Sequence, residues 1–285
     1  MEEEGPNIRS EPRSRRIKVI EPSRGWRIPG GRDLWNHREL LWVLILRDIK
    51  VRYKQTVLGA AWVLLRPLLG MAVFTVIFGM LAKIPSEGYP YAVFVYSALL
   101  PWNFFAGAVG SAGNSLVGSS GLIGKVYFPR LLIPAASVGS GLVDLAVASA
   151  FFLVLLPLFG VGWSANLLAV PFLAFAVLFF ALGVGILFSA LIVAYRDFGA
   201  VMVFLLQVWM FATPVVYPPG LVPGKWRILL HLNPMASLVE GFRSAFLGKP
   251  FDGVGLSVSV ALSLVVFAGS VAYFGKVEGR FADIL

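Results

Sequence analysis

The stretch Ser119 to Val126, SSGLIGKV, contains the glycine-lysine pair of a phosphate-binding loop. Such a loop cradles phosphates with backbone N–H groups. Its pattern requires a glycine five residues before the glycine of the pair, and a serine or threonine after the lysine. Those two positions are Ser119 and Val126, and no strand is predicted before them. The sequence therefore argues against nucleotide binding by this chain.

Residues suited to metal or covalent chemistry are scarce. The chain has no cysteine, which excludes disulfides and thiolate metal sites, and only two histidines, His37 and His231. No Ser-His-Asp order, carboxylate pair or HExxH sequence is present. We therefore predict no catalytic residue, no metal and no cofactor in this chain, which disfavours an intramembrane enzyme.

Two charges lie where charge is costly. Arg66 and Asp144 each fall about ten residues into an apolar segment. A lone ion at such depth costs several kcal/mol, so it usually has a partner or contacts water. Either the two residues pair or line a wet cavity, or Arg66 extends to the lipid headgroups and Asp144 caps a helix break.

The spacing of charges predicts a membrane protein. Of the 285 residues, 58% are hydrophobic and 14% are charged. Uncharged stretches of 37, 51 and 23 residues separate Glu87 from Lys125, Asp144 from Arg196, and Asp252 from Lys276. A helix needs about 20 apolar residues to cross the hydrocarbon core. We therefore predict an all-α polytopic membrane protein.

Six transmembrane helices are predicted within a membrane domain that covers residues 57–285. Their limits are residues 57–82, 91–116, 132–159, 167–194, 199–216 and 254–274. An even number of spans places both termini on one side. With the termini inside, 19 Lys and Arg fall on inner segments and 5 on outer ones, which favours cytoplasmic termini.

Two segments precede the first span. Residues 1–33 are polar and basic without an apolar stretch, which predicts a cytoplasmic tail rather than a signal peptide. Residues 34–56 carry Leu40, Leu41, Leu44 and Ile45 on one helical face, with cations elsewhere. This pattern is typical of an amphipathic helix lying in the membrane interface.

Two connections differ from simple loops. The inner segment from Val117 to Pro134 has small residues followed by a compact amphipathic piece between prolines, a predicted cytoplasmic helix. The outer region at 217–250 contains short apolar runs between prolines. Such runs predict a re-entrant helical hairpin, which is tolerated only where protein shields its backbone.

Aromatic residues make up 14% of the chain, and most are expected in interface belts or lipid-facing packing. Some lie where they could instead face a pore, in the second and fifth spans. If they do, flat rings would let sugar rings slide past with little directional bonding. These candidate channel-lining residues are Trp102, Phe104, Phe105, Phe204, Trp209 and Phe211.

Several segments together resemble ABC-2 type permeases of the polysaccharide-export group, which carry O-antigen, capsule or teichoic acid. The first is LWNHRELLWVLILRDIKVRYKQTVLGAAWVLLRPL, preceded by VIEPSRGW. The others are KVYFPRLLIP, YRDF, TPVVYPPGLVP and LNPMASLVEGFRSAFLG, in the same order as in that family. Arg66 departs from the resemblance, because relatives often have an uncharged residue before this proline.

The resemblance implies a half-transporter. Two copies would assemble as a homodimer with two separate nucleotide-binding subunits, which would bind ATP and Mg²⁺, in the bacterial inner membrane. The interface helix and the inner loop would contact those subunits. The implied coupling residues are Arg47, Asp48, Arg52, Ser119, Leu122, Lys125, Tyr127 and Arg130.

By the same resemblance, the substrate would be a polysaccharide on a polyprenyl diphosphate lipid, with no role for nucleic acid. The outer hairpin would gate its path. The implied gate residues are Tyr217, Pro218, Asn233, Pro234, Glu240 and Arg243. Two alternatives remain: an ABC-2 exporter of a drug or free lipid, and an ion channel or proton-coupled carrier.

Overall fold

The computed structural model describes residues 35–54, 59, 61–124 and 128–281, and within these ranges the regular elements are helices. The predicted tail and the predicted coupling residues Lys125 and Tyr127 lie outside them. The helices are α1 (Arg38–Lys54), α2 (Ala61–Phe74), α3 (Tyr91–Gly118), α4 (Ser120–Ile123), α5 (Leu132–Leu158), α6 (Val170–Ala194), α7 (Phe198–Ala212), α8 (Arg227–Leu232), α9 (Pro234–Leu247) and α10 (Gly253–Val277).

Five stretches are long and apolar enough to cross a membrane. They are Ala61–Leu81, Tyr91–Gly118, Leu132–Leu158, Ala165–Ala194 and Gly253–Val277. The first consists of α2 and a π-helical continuation, and the fourth is α6 preceded by a 3₁₀ turn. These stretches match five of the six predicted spans to within a few residues, so the all-helical polytopic fold is confirmed.

The fifth predicted span, residues 199–216, is shorter in the structure. Helix α7 has 15 residues, or about 22 Å, against about 30 Å of hydrocarbon thickness. It ends at Ala212 because Thr213, the residue before Pro214, has an extended conformation. The six-span layout therefore stays a prediction.

Helices α3 and α6 form the centre of the bundle. Both are largely buried, whereas Pro67 is the one buried residue of α2. Phe105 of α3 stacks on Phe180 of α6 with ring centroids 5.1 Å apart, and Trp209 of α7 meets both rings edge-on. Offset and edge-to-face contacts of this kind add about 0.5–1.5 kcal/mol per pair to the burial itself.

A second hydrophobic cluster lies at the end of the bundle that carries α1, which we call the α1 end. The cluster buries Leu44 of α1, Phe128 and Leu131 before α5, Phe274 of α10 and Phe281 after α10. The cluster therefore holds together α1, the residues just before α5 and the C-terminal end of α10.

The opposite end, which we call the α9 end, contains the predicted re-entrant region. Helix α9 begins at Pro234, is capped by the Asn233 side chain, and is followed by Gly248 in the left-handed conformation. Nearly all of α9 is buried, as the shielding of a re-entrant helix requires. Helix α8 differs, because none of its residues is buried.

Glycines allow the closest helix contacts. A Cβ atom at Gly183 of α6 would lie 2.8 Å from the backbone N of Phe267 in α10, and one at Gly185 would lie 2.8 Å from the Ala112 Cβ in α3. Both glycines are therefore packing residues. A Cβ at Gly107 or Gly110 would meet nothing within 4 Å.

We expect Gly183→Ala to destabilise the bundle by about 1–3 kcal/mol, because the added methyl group meets backbone that cannot rotate away. Thermal unfolding of the purified protein in detergent measures the effect. Gly269→Ala is the matched control, since a Cβ there meets nothing within 4 Å. Equal unfolding temperatures for the two variants would show that the α6–α10 contact is looser than described.

Candidate functional site

Helix α1 is fastened to α5 by a row of polar contacts. Arg52 pairs with Asp144, and its Nη2 also donates to the Ser140 hydroxyl at 2.9 Å. Tyr53 donates a hydrogen bond to the other carboxylate oxygen of Asp144. One turn away, the Ser137 hydroxyl donates to Asp48 at 3.1 Å.

Helical spacing explains this row. Asp48 and Arg52 are four residues apart on α1, while Ser137, Ser140 and Asp144 follow at intervals of three and four on α5. Each set therefore lies along one face of its helix. Both oxygens of Asp144 are engaged, by Arg52 and by Tyr53.

The Tyr53 phenol stays protonated and can donate. Its pKa is raised to about 12, chiefly because the ring is partly removed from water and then because it donates to Asp144. The phenol therefore supports the Asp144 carboxylate at neutral pH.

Two adjoining cavities, each about 300 Å³, form a groove beside this row. The deeper one lies between α1, α2, α3 and α5, and the other opens towards Ser119. Both are lined by Arg52 and Ser111, so they are neighbouring parts of one groove. We take this groove, at the α1 end, as the candidate functional site.

The structure corrects the sequence hypotheses for the two intramembrane charges. Asp144 lies within continuous helix α5 and is paired with Arg52 of the interface helix, not with Arg66. It does not cap a helix break. Arg66 and Asp144 nevertheless line the same cavity, as one of the alternatives proposed.

Most of the implied coupling residues in the described ranges lie near one another. Arg47, Asp48, Arg52 and Ser119 line the outer part of the groove, and Arg47 pairs with Asp48 at 2.9 Å. Leu122 of α4 packs against the second hydrophobic cluster. Contact with another subunit stays a prediction for all of them.

Arg130 is held by the end of α10. Its backbone N–H donates to Glu278 Oε1 at 3.0 Å, and its Nη1 donates to the Glu278 carbonyl oxygen at 2.7 Å. Burial raises the pKa of the Glu278 carboxyl, and the hydrogen bond and charge of Arg130 partly offset this. Arg130 therefore ties the start of α5 to the C-terminal end of α10.

The candidate channel aromatics divide into two groups. Trp102, Phe104 and Phe105 are buried within this single chain, although Phe104 also lines the deeper cavity, and a channel-lining role stays a prediction for them. They face inward because α3 is packed on nearly all sides. Trp209 is partly buried against the same core, whereas Phe204 and Phe211 are exposed on α7.

The predicted gate residues at the α9 end form a packed network. Arg243 is fully buried; it pairs with Glu240 at 2.5 Å and donates to the carbonyl of Pro214 at 2.9 Å. Asn233 accepts from Trp209 Nε1 at 2.9 Å and donates to the Thr213 hydroxyl at 3.0 Å.

The other predicted gate residues lie in the same region. Pro234 is buried at the start of α9, and Pro218 precedes a short 3₁₀ turn. Tyr217 donates to the Phe211 carbonyl at 3.1 Å. A gating role stays a prediction for the whole set.

Sequence reasoning missed Ser137, Ser140, Tyr53 and Glu278. The serine spacing relative to Asp144 was a usable signal, because it places three polar side chains on one face of an otherwise apolar span. Glu278 had no such signal, since its partner Arg130 is 148 residues away in the chain.

We expect the effects of Arg52→Gln and Asp144→Asn on the free energy of unfolding to be coupled by about 1–2 kcal/mol. This range allows for the partial exposure of both side chains. A double-mutant cycle of unfolding in SDS-containing mixed micelles measures this coupling. Pairing Arg52→Gln with Glu39→Gln, an exposed α1 residue, should give additive changes. Additivity in the first cycle would mean that α1 is not fastened to α5 through this pair.

We expect Glu278→Ala to lower the free energy of unfolding by about 1 kcal/mol, because the Arg130 N–H loses its acceptor. Glu278→Gln should keep the hydrogen bond, because its amide oxygen can accept. Since the Glu278 pKa is raised, its contribution to stability is largest below the ordinary value of 4.5 and falls as pH rises through the folded-state pKa. The unfolding temperature, measured between pH 4 and 8, should therefore fall less with rising pH in Glu278→Gln than in the unaltered protein. Identical pH profiles for that variant and the unaltered protein would show that the Glu278 carboxyl does not contribute to the pH dependence of stability.

The chain matches known transporters over most of its length. The ABC-2 type transporter family model matches residues 39–247. The O-antigen export system permease protein RfbA of Myxococcus xanthus is 29% identical over 255 residues, which cover 88% of this chain and 97% of that protein. A Klebsiella pneumoniae protein of the same name is 27% identical, with 87% and 95% covered.

A third relative transports a different polymer. The polysialic acid transport protein KpsM of Escherichia coli is 23% identical over 245 residues, which cover 84% of this chain and 94% of that protein. The family match extends from α1 through α9 and includes every residue that lines the groove. The chain therefore belongs to the ABC-2 type transporter family.

Proposed function

We propose that this chain is the membrane subunit of an ATP-driven exporter of lipid-linked polysaccharide. The observation that carries the proposal is the likeness over at least 84% of the chain to proteins named for O-antigen export and for polysialic acid transport. These two polymers differ, so the likeness supports a class of substrate rather than one glycan.

Energy would come from a separate ATPase subunit, which would bind the ATP and Mg²⁺. Members of this transporter family work with such subunits, and SSGLIGKV lacks the residues of a phosphate-binding loop. The groove residues Arg47, Asp48 and Ser119 and the adjoining α4 are the surfaces proposed to contact that subunit.

The second hydrophobic cluster supports a route for the coupling. A push on α4 would reach Phe128 and Leu131, which pack with Leu44 of α1 and Phe281 after α10. The Arg52–Asp144 pair would carry the same motion into α5. We therefore propose that α1 and α5 move as one body when the ATPase subunits close.

A homodimer would place the path between two copies. Helix α7 has a single buried residue, Met202, and exposes Phe204, Val208 and Phe211 along one side. Helix α2 likewise has a single buried residue, Pro67. Because Trp102 and Phe105 are internal, we propose that exposed aromatics of α7, rather than those of α3, line the path.

The proposed location is the bacterial inner membrane with cytoplasmic termini. The count of 19 inner against 5 outer Lys and Arg supports this orientation. At the cytoplasmic surface, each basic residue of α1 would add about 1 kcal/mol of attraction to anionic headgroups. The α9 end would then face outward and restrict the exit.

Deletion of this chain in its host should trap polysaccharide on its lipid carrier inside the cell. Surface labelling of intact cells, compared with total extracted polymer, measures the loss. Restoring the chain with a partner ATPase that cannot hydrolyse ATP should leave the polymer trapped, because the chain supplies no energy of its own. Restoring it with the active partner is the control.

Two results would contradict the proposal. Transport that persists with the inactive ATPase and collapses with an uncoupler would indicate a proton-coupled carrier. Normal surface polymer in the deletion strain, with loss of export of a drug or free lipid, would assign a different substrate class.

A further inference from the structure

Arg66 is an unbalanced charge inside the groove. It lies on α2, five residues after Ala61, in a stretch that can cross the membrane. Its side chain lines the deeper cavity and is exposed to it. Within the described ranges, no acidic side chain forms an ion pair with Arg66.

The cavity cannot neutralise this charge with its own residues. Its charged lining consists of two cations, Arg52 and Arg66, and one anion, Asp144, which leaves one positive charge. Both carboxylate oxygens of Asp144 are already engaged, by Arg52 and by Tyr53. A guanidinium group in a cavity at membrane depth is stabilised when an anion binds beside it.

The remaining lining suits a phosphate group. Asn103 and Ser111 of α3 add an amide and a hydroxyl that can donate hydrogen bonds, while Trp62 and Phe104 provide apolar walls. Arginine binds phosphate oxygens through two parallel N–H groups, and such charge-assisted bonds are about twice as strong as neutral ones.

We propose that this cavity binds the phosphate group of a lipid, with Arg66 as its main ligand and Asn103 and Ser111 as supporting donors. Its volume of about 300 Å³ accepts a phosphate or diphosphate headgroup with the first part of the lipid chain, and not a polymer. Identification of that lipid as the polysaccharide carrier rests on the proposed function.

Binding of farnesyl diphosphate to the full-length protein in phosphatidylcholine nanodiscs, measured by calorimetry, tests the site. We expect Arg66→Gln to weaken binding at least about tenfold, as expected when a hydrogen bond to a charged group is lost. Arg66→Lys should bind with intermediate strength, because it keeps the charge and loses the paired N–H groups. Arg38→Gln, an exposed cation at the start of α1 outside the groove, is the matched control and should bind normally.

Further titrations identify which lipid supplies the phosphate. Repeating the titration in phosphatidylglycerol nanodiscs separates the two lipids: displacement supports an ordinary membrane phosphate, and unchanged binding supports a diphosphate carrier. Equal binding of uncharged farnesol, or binding by Arg66→Gln within twofold of the unaltered protein, overturns the site. If Arg66→Gln does not fold, Asn103→Leu replaces it, with a weaker but measurable loss expected.

The outcome is separable from that of the proposed function, because the titration needs neither ATP nor glycan. Arg66-dependent binding together with normal polysaccharide display in the deletion strain would contradict only the proposed function. Trapped polysaccharide together with Arg66-independent binding would contradict only this site.

Discussion

The pairing of Arg52 with Asp144 is the constraint on which the α1 end depends. A carboxylate inside an apolar helix is costly, and here the interface helix supplies both a cation and a phenol to satisfy it. The contact fixes the register of α1 on α5, since the Asp48–Ser137 bond one turn away requires the same alignment. Helix α1, which the sequence predicts to lie in the membrane interface, is thereby held at one place on α5.

Apolar packing extends this constraint across the α1 end. Leu44, Phe128 and Phe281 come from three distant parts of the chain and share one buried cluster. Protein interiors are close-packed and transmit displacement rather than absorbing it. The polar row and the cluster together make a continuous body from the interface helix to the end of α10. That body adjoins the groove and the short α4, the surfaces proposed to contact the ATPase subunit.

The bundle was predictable from the sequence because long apolar stretches have few alternatives in a bilayer. The limits of α3, α5 and α10 follow from prolines, glycines and the nearest charges. Helix α7 was predicted too long because Val215 and Val216 continue its hydropathy, although Pro214 and packing against the core remove them from the helix. The sequence also could not predict which aromatic side chains are buried. Trp102 and Phe204 both lie in apolar stretches, yet Trp102 is buried and Phe204 is exposed.

The ion-pair partners of the charged residues were harder to predict than the positions of those residues within the apolar segments. Arg66 and Asp144 lie in the predicted apolar segments, but the ion pair depends on how α1 crosses α5, which no local pattern encodes. Because the chain has no cysteine, Ile45→Cys and Gly139→Cys can test that crossing without background: a Cβ at Gly139 would lie 3.1 Å from Ile45 Cδ1. We expect a short thiol cross-linker to join the two positions and to leave ATP-dependent export intact, because α1 and α5 move as one body. Failure to cross-link, or cross-linking that stops export, would contradict that claim.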